Sequence, residues 1–142
     1  MKFIFDNNLS IDLAKAIGAL CRQEYVVEQV HHLKELFPQS ADDVVWLSRL
    51  QDHGPHWVVV TNDKFKKQGG DERATFHRNE LIGYVLDPQW SGQGFWAIAE
   101  RLVEWWPIIL EHVKTARNGL YRVPWKTGSA RKLTSFQPSR DR

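Results

Sequence analysis

Cysteine is almost missing from this chain: Cys21 is the sole one in 142 residues. No internal disulfide can form, and such usage suits a reducing, cytoplasmic setting. Long apolar runs are missing too. Glu100, Arg101 and Glu104 interrupt the longest candidate, so no bilayer span and no membrane role are expected. The opening Met1-Lys2-Phe3-Ile4-Phe5-Asp6 lacks a signal peptide's apolar stretch and reads as a strand. There is no phosphate-binding glycine loop, since Gly69-Gly70 is only a turn signal. His31 and His32 are adjacent, but no other histidine stands at zinc-ligand spacing to them. Cys21 falls inside a helical stretch with nothing of a nucleophile's setting. No internal repeat is visible.

What is present is a single-domain length with ordinary charged and apolar fractions, enough for a real core. The net charge of +2 is unevenly spread. From Lys114 onward there are eight Lys or Arg against Asp141 alone, giving +7; the preceding 113 residues hold eleven bases and sixteen acids, giving −5. A basic tail on an acidic body suits a phosphate backbone or an acidic partner segment, though the same charges also read as a plain solvated tail.

The pattern along the chain predicts four strands alternating with helices, hence a parallel α/β sheet. The expected strands are Lys2-Phe5, Tyr25-Val30, Trp57-Thr61 and Ile82-Leu86. Ser10 is placed to cap a helix reaching about Arg22, with Leu13, Ile17 and Leu20 on one face. His31-Gln39 reads as a loop, and Ser40 as the cap of a helix running to about Asp52. A third helix is expected from about Asp71 to Glu80, and a long one from Gly94 to about Arg117 that Pro107 should kink or interrupt. That long helix carries two apolar stripes. One is Phe95, Ile98, Leu102, Trp105, Ile109 and Val113; the other is Trp96, Ala99, Val103, Trp106 and Leu110. A helix apolar on two sides is buried on two sides, so the second stripe should meet another chain or residues 119–142 of its own.

Three short phrases carry the chemistry: Phe3-Ile4-Phe5-Asp6-Asn7-Asn8, Ser40-Ala41-Asp42-Asp43-Val44-Val45-Trp46-Leu47 and Val58-Val59-Val60-Thr61-Asn62-Asp63. Ligands of an open parallel sheet bind beyond the carboxyl ends of its strands. Asp6 and Asp63 each follow an apolar strand, and Asp43 lies in the first turn of a helix, so all three should share one sheet edge. Helical spacing selects Asp43 over Asp42. Asp43, Trp46, Leu47 and Leu50 fall at i, i+3, i+4 and i+7, whereas Asp42 is rotated by about 100°. Carboxylates crowded together repel one another unless a hard divalent cation holds them. The set therefore outlines a Mg²⁺- or Mn²⁺-dependent phosphodiesterase site. Each acid also has a bland reading: a turn residue for Asp6 and Asp63, a reciprocal cap with Ser40 for Asp43. Asp71 and Glu72 are candidates for a fourth acid, with Glu72 chosen. Lys64, Lys66 and Lys67 stand beside Asp63 as candidate phosphate contacts.

Through Phe5-Asp6-Asn7-Asn8-Leu9-Ser10, His32-Leu33 to Phe37-Pro38, Asp43-Val44-Val45-Trp46-Leu47, Val59-Val60-Thr61-Asn62-Asp63 and Glu72-Arg73-Ala74, the chain resembles the PIN-like nuclease superfamily. More narrowly, it resembles PIN-like toxins of VapC type in the branch with a strand-Asp-Asn-Asn-Leu-Ser opening. The likeness covers roughly the first 90 residues. It implies a three-layer PIN-like fold, a parallel sheet of about four strands between helices; with the charge distribution, this gives an expected domain of residues 1–118 followed by a basic tail of residues 119–142. It implies metal-site acids at Asp6, Asp43 and Asp63, Mg²⁺ or Mn²⁺, RNA cleavage and a cognate antitoxin. Asn7-Asn8 stands where a hydroxyl residue often follows the first acid, and would orient a carboxylate or water. Single-stranded RNA would be gripped by Lys64, Lys66 and Lys67, with a Trp or Phe for stacking. The alternatives are a DNA-directed nuclease with the same site, or a non-enzymatic module whose acids are caps and whose sheet edge binds protein. A phosphoryl-acceptor receiver domain would need a strand-end Lys after Ile82-Leu86, and none follows.

Overall fold

Phe3, Ile4 and Phe5 are fully buried in β1 (Lys2–Phe5), which lies inside the sheet with strands on both sides. In the computed structural model, which describes residues 1–38, 41–62, 71–126 and 133–135 (for 71–73 the backbone alone), strands and helices alternate. They are β1, α1 (Ile11–Leu20), β2 (Gln29–His32), α2 (Leu33–Leu36), α3 (Asp43–Arg49), β3 (Trp57–Thr61), α4 (Asp71–Arg78), β4 (Ile82–Leu86), α5 (Phe95–Val113), β5 (Gly119–Val123) and β6 (Thr134–Ser135). The sheet order is β2-β1-β3-β4-β5-β6, parallel except where β6 pairs antiparallel with β5. The continuous apolar runs of β1, β3 and β4 are those of strands covered on both faces.

Alternation along each strand divides the core into two layers. Phe3, Phe5, Val58, Val60, Tyr84 and Leu86 face α1 and α5. Ile4, Val59, Val85 and Leu120 face α3 and α4, through Trp46, Leu47 and Phe76. The result is the expected three-layer α/β arrangement, with a wider sheet than the four strands predicted. Within the first layer the Tyr84 hydroxyl and His112 Nδ1 share a hydrogen bond of 2.8 Å. Burial pushes the phenol up and the imidazole down, which favours the neutral form of each.

Several boundaries differ from expectation. Residues 119–123, assigned by charge to a basic tail, form β5, because Leu120 and Val123 drop into opposite core layers while Arg122 points outward. β2 falls on Gln29–His32 rather than Tyr25-Val30, and Tyr25 is 93 % exposed. The expected loop after it holds the short helix α2. Asp42 takes the N-cap position of α3 without a side-chain cap bond; Ser40, expected there, lies outside the described residues. Pro107 sits inside a continuous α5. It removes the donor that Val103 would have bonded, and Val103 is 46 % exposed, on the side of the helix open to solvent. The second stripe of α5 divides. Trp106 and Leu110 are buried, with Trp106 Nε1 donating to Cys21 Sγ at 3.1 Å and its ring 5.3 Å from Phe3, whereas Trp96 and Val103 stay exposed. Among the described residues no helix is long and apolar enough to cross a membrane.

Candidate active site

Asp6 follows β1 at the carboxyl edge and is 4 % exposed. Its backbone continues the ladder, with the amide donating to Val60 O at 3.0 Å. Its parity puts the side chain on the face of Ile4, under α3 and α4. There Oδ2 accepts from Thr61 Oγ1 at 2.6 Å and Oδ1 from Asn7 N at 2.5 Å, two charge-assisted bonds that fix the carboxylate plane. Asp6 O also accepts from Leu9 N, closing a tight turn.

The far end of that turn is pinned by His32. Its Nδ1 accepts from Lys34 N at 3.1 Å and its Nε2 meets Leu9 O at 2.7 Å. Accepting at Nδ1 leaves the proton of a neutral ring on Nε2, which therefore donates to Leu9. Sequence reasoning passed over both Thr61 and His32. The signal for Thr61 was a lone hydroxyl ending the run Val58-Val59-Val60; for His32 it was a polar residue with no exposed face to occupy.

Asp43 is in the first turn of α3, and its Oδ1 accepts from Trp46 Nε1 at 3.1 Å. Trp46 is fully buried in the same layer as Ile4 and Val59, so Asp43 and Asp6 belong to one face of the sheet. A further strand-end acid, Asp87 after β4, was read only as a strand terminator. Its Oδ1 accepts from Gln89 N at 3.0 Å, and its Oδ2 from Trp125 N at 3.2 Å and Arg122 Nη2 at 3.4 Å. It clamps the ends of β4 and β5 together, with Arg122 balancing its charge. Arg122 and Lys126 line an open hollow beside it and add exposed cations to the carboxyl edge.

Asn7 and Asn8 diverge. Asn7 is half-buried, and among the described residues its Oδ1 has no hydrogen-bond partner. Asn8 is exposed and turns to the opposite face, where it lines a cavity of about 440 Å³ with Leu13, Asn62, Ser91, Phe95 and Ile98. Asp63, Lys64, Lys66 and Lys67 lie outside the described residues, as does the side chain of Glu72. Among the described residues no group of three or more His, Cys, Asp or Glu is placed to hold a metal ion. Those that are described nevertheless suit a hard cation in kind. Asp6 and Asp43 offer carboxylate oxygen, and the orphaned Oδ1 of Asn7, the residue after Asp6, is a neutral oxygen donor.

The Thr61 contact has a measurable consequence in the protein alone. Thr61→Val keeps the branched shape but withdraws a buried donor from a charged acceptor, which costs about 1.5–3 kcal/mol. A lowered urea midpoint at unchanged slope is expected, and an unchanged midpoint would show that the contact is not held in solution.

The family model described as "PIN like domain" matches residues 1–88, more than half of the chain. The match ends just after Asp87, so α5 and β5 lie beyond it. No curated protein and no solved structure matches the chain.

Proposed function

This chain belongs to the PIN-like domain family, whose members are commonly nucleases, and on that premise we propose that it is a metal-dependent endoribonuclease, the VapC-type toxin of a toxin–antitoxin pair. The observation that carries the reading is Asp6: a buried carboxylate held in one orientation by Thr61 and Asn7 N at the carboxyl edge of a parallel sheet. A turn residue needs no such fixation.

Asp6 and Asp43, with Asp63 and Glu72 as the further expected acids, would hold Mg²⁺ or Mn²⁺. When bound, the cation supplies a Lewis acid for the phosphoryl oxygen and a water of lowered pKa. The residues of the chain set the stage for that chemistry. Thr61 keeps Asp6 from rotating, and Trp46 does the same for Asp43. Asn7, whose Oδ1 has no partner among the described residues, would orient a carboxylate or a water. Lys64, Lys66 and Lys67 are the expected phosphate contacts; Arg122 and Lys126 join them as exposed cations at the same edge. The exposed part of the second stripe, Trp96 and Val103, is the surface we assign to an antitoxin or a second copy.

The test is incubation of the purified protein with labelled single-stranded RNA, and with DNA of the same sequence, in Mg²⁺, Mn²⁺ or EDTA. Internal cleavage of RNA in either metal and none in EDTA is expected. Cleavage of the DNA alone would replace this reading with the DNA-directed one. No cleavage of either polymer in any metal would leave the protein-binding module.

A further inference from the structure

We propose that the cavity on the opposite face of the carboxyl edge, between the Asn8 turn and the start of α5, receives an unpaired nucleobase of the strand being cleaved. The proposal rests on the nuclease reading and gives that site a specificity pocket. Its position is set by backbone continuity. Asn62 directly follows Thr61, whose hydroxyl holds Asp6, and Asn8 lies two residues after Asp6. The cavity therefore begins where the carboxylate turn ends, on the other side of the same sheet edge.

Its chemistry selects the occupant. Among the described residues no lining side chain carries a charge, so the described lining offers a phosphate no charged partner. Asn8 and Asn62 each present a carboxamide, one acceptor beside donors, which is the complement of a base edge. Ser10 and Ser91 add hydroxyls, and Leu9, Leu13, Ile98 and the ring of Phe95 supply the apolar lining. Phe95 packs edge-to-face with Trp96, ring centroids 5.4 Å apart, and the two are 43 % and 81 % exposed. Phe95 lines the cavity and Trp96 packs against it, and exposed rings of this kind are surfaces on which unstacked bases are held. A volume of about 440 Å³ lies in the usual range for a small ligand and admits a base with its sugar. The aromatic wall lies on α5, beyond the residues that match the family, so this pocket would distinguish the chain's target from those of its relatives.

The experiment measures binding by fluorescence anisotropy in EDTA, so that no cleavage occurs. It compares a short labelled RNA with an abasic sugar-phosphate strand of equal length and charge. The wild-type protein should prefer the base-bearing strand. Phe95→Ala and Asn62→Ala should each weaken that strand by about tenfold and leave the abasic strand unchanged. Trp96→Ala, at a site too exposed to threaten folding, should act in the same direction. Equal affinity of the wild type for the two strands, or variants that weaken both strands alike or neither, would overturn the pocket. Base-dependent binding without RNA cleavage in Mg²⁺ or Mn²⁺ would remove the nuclease reading and leave the pocket standing. Cleavage with base-independent binding would do the reverse.

Discussion

Asp6→Asn is expected to abolish RNA cleavage in Mg²⁺ and Mn²⁺ while leaving the protein folded and no less stable. Loss of an outer partner of a metal ligand typically costs 10–100-fold, and loss of a charged ligand should exceed that. The stability half follows from the surroundings of the side chain. Asparagine keeps an oxygen that can accept from Thr61 Oγ1 or Asn7 N, and it removes a charge that is 4 % exposed. On the proposed reading, in which Asp43 and Asp63 share the site, it would also relieve repulsion before metal arrives. The opposing outcomes of Asp6→Asn (activity lost, stability kept) and Thr61→Val (stability lost) separate a ligand from its support. A preparation free of contaminating ribonuclease in which Asp6→Asn stays fully active would defeat the catalytic assignment.

The largest effect on folding is expected at Gly83. It sits mid-strand in β4, paired with Val59 on one side and Leu120 on the other, beneath α4. A Cβ added there would lie 2.5 Å from Phe76 Cε2 and 2.7 Å from Leu120 Cδ2, inside contact distance for both. Neither neighbour can retreat easily, because Phe76 is fully buried and Leu120 nearly so. Overpacking of this kind costs about 1–3 kcal/mol for Gly83→Ala, and more for Gly83→Val. Melting temperature should fall by several degrees for each kcal/mol. Combining Gly83→Ala with Phe76→Leu should recover part of the loss, since the two changes share one contact. Strictly additive losses would place the strain elsewhere.

The parts of this fold legible in the sequence were those where one physical signal dominates. Phe3-Ile4-Phe5 and Val58-Val59-Val60 are uninterrupted because their strands are covered on both faces, and Ser10 caps α1 by a bond to Asp12 N at 3.1 Å. Asp6 was legible because an acid directly after such a strand has few places to go. Where two signals competed, the weaker strand was lost. β2 is an outer strand with exposed Gln29, so the more apolar Tyr25-Val30 drew the assignment away from it. Leu120, Tyr121, Val123 and Trp125 alternate loosely like a strand in the sequence, but the charge of Arg117 and Arg122 assigned them to a tail rather than to the sheet that β5 joins. Thr61 and His32 act through atoms of residues far off in the chain, Asp6 and Leu9, and no local pattern reports such a pairing.

The interior position of β1 shapes the order in which this protein can assemble. Both of its neighbours come later in the chain, and the Thr61–Asp6 bond closes a separation of 55 residues. Synthesis at about 5–20 residues per second leaves Phe3-Ile4-Phe5 waiting several seconds for β3. During that time it is a bare, uncharged, β-favouring segment of the kind that pairs with other chains. β2, which follows sooner, offers it one partner with two histidines on it, a modest shield for the interval. The strand that delivers the buried acid is therefore open to mispairing until β3 arrives, and crowding of nascent chains should lower the yield of folded protein before it touches the activity of what folds.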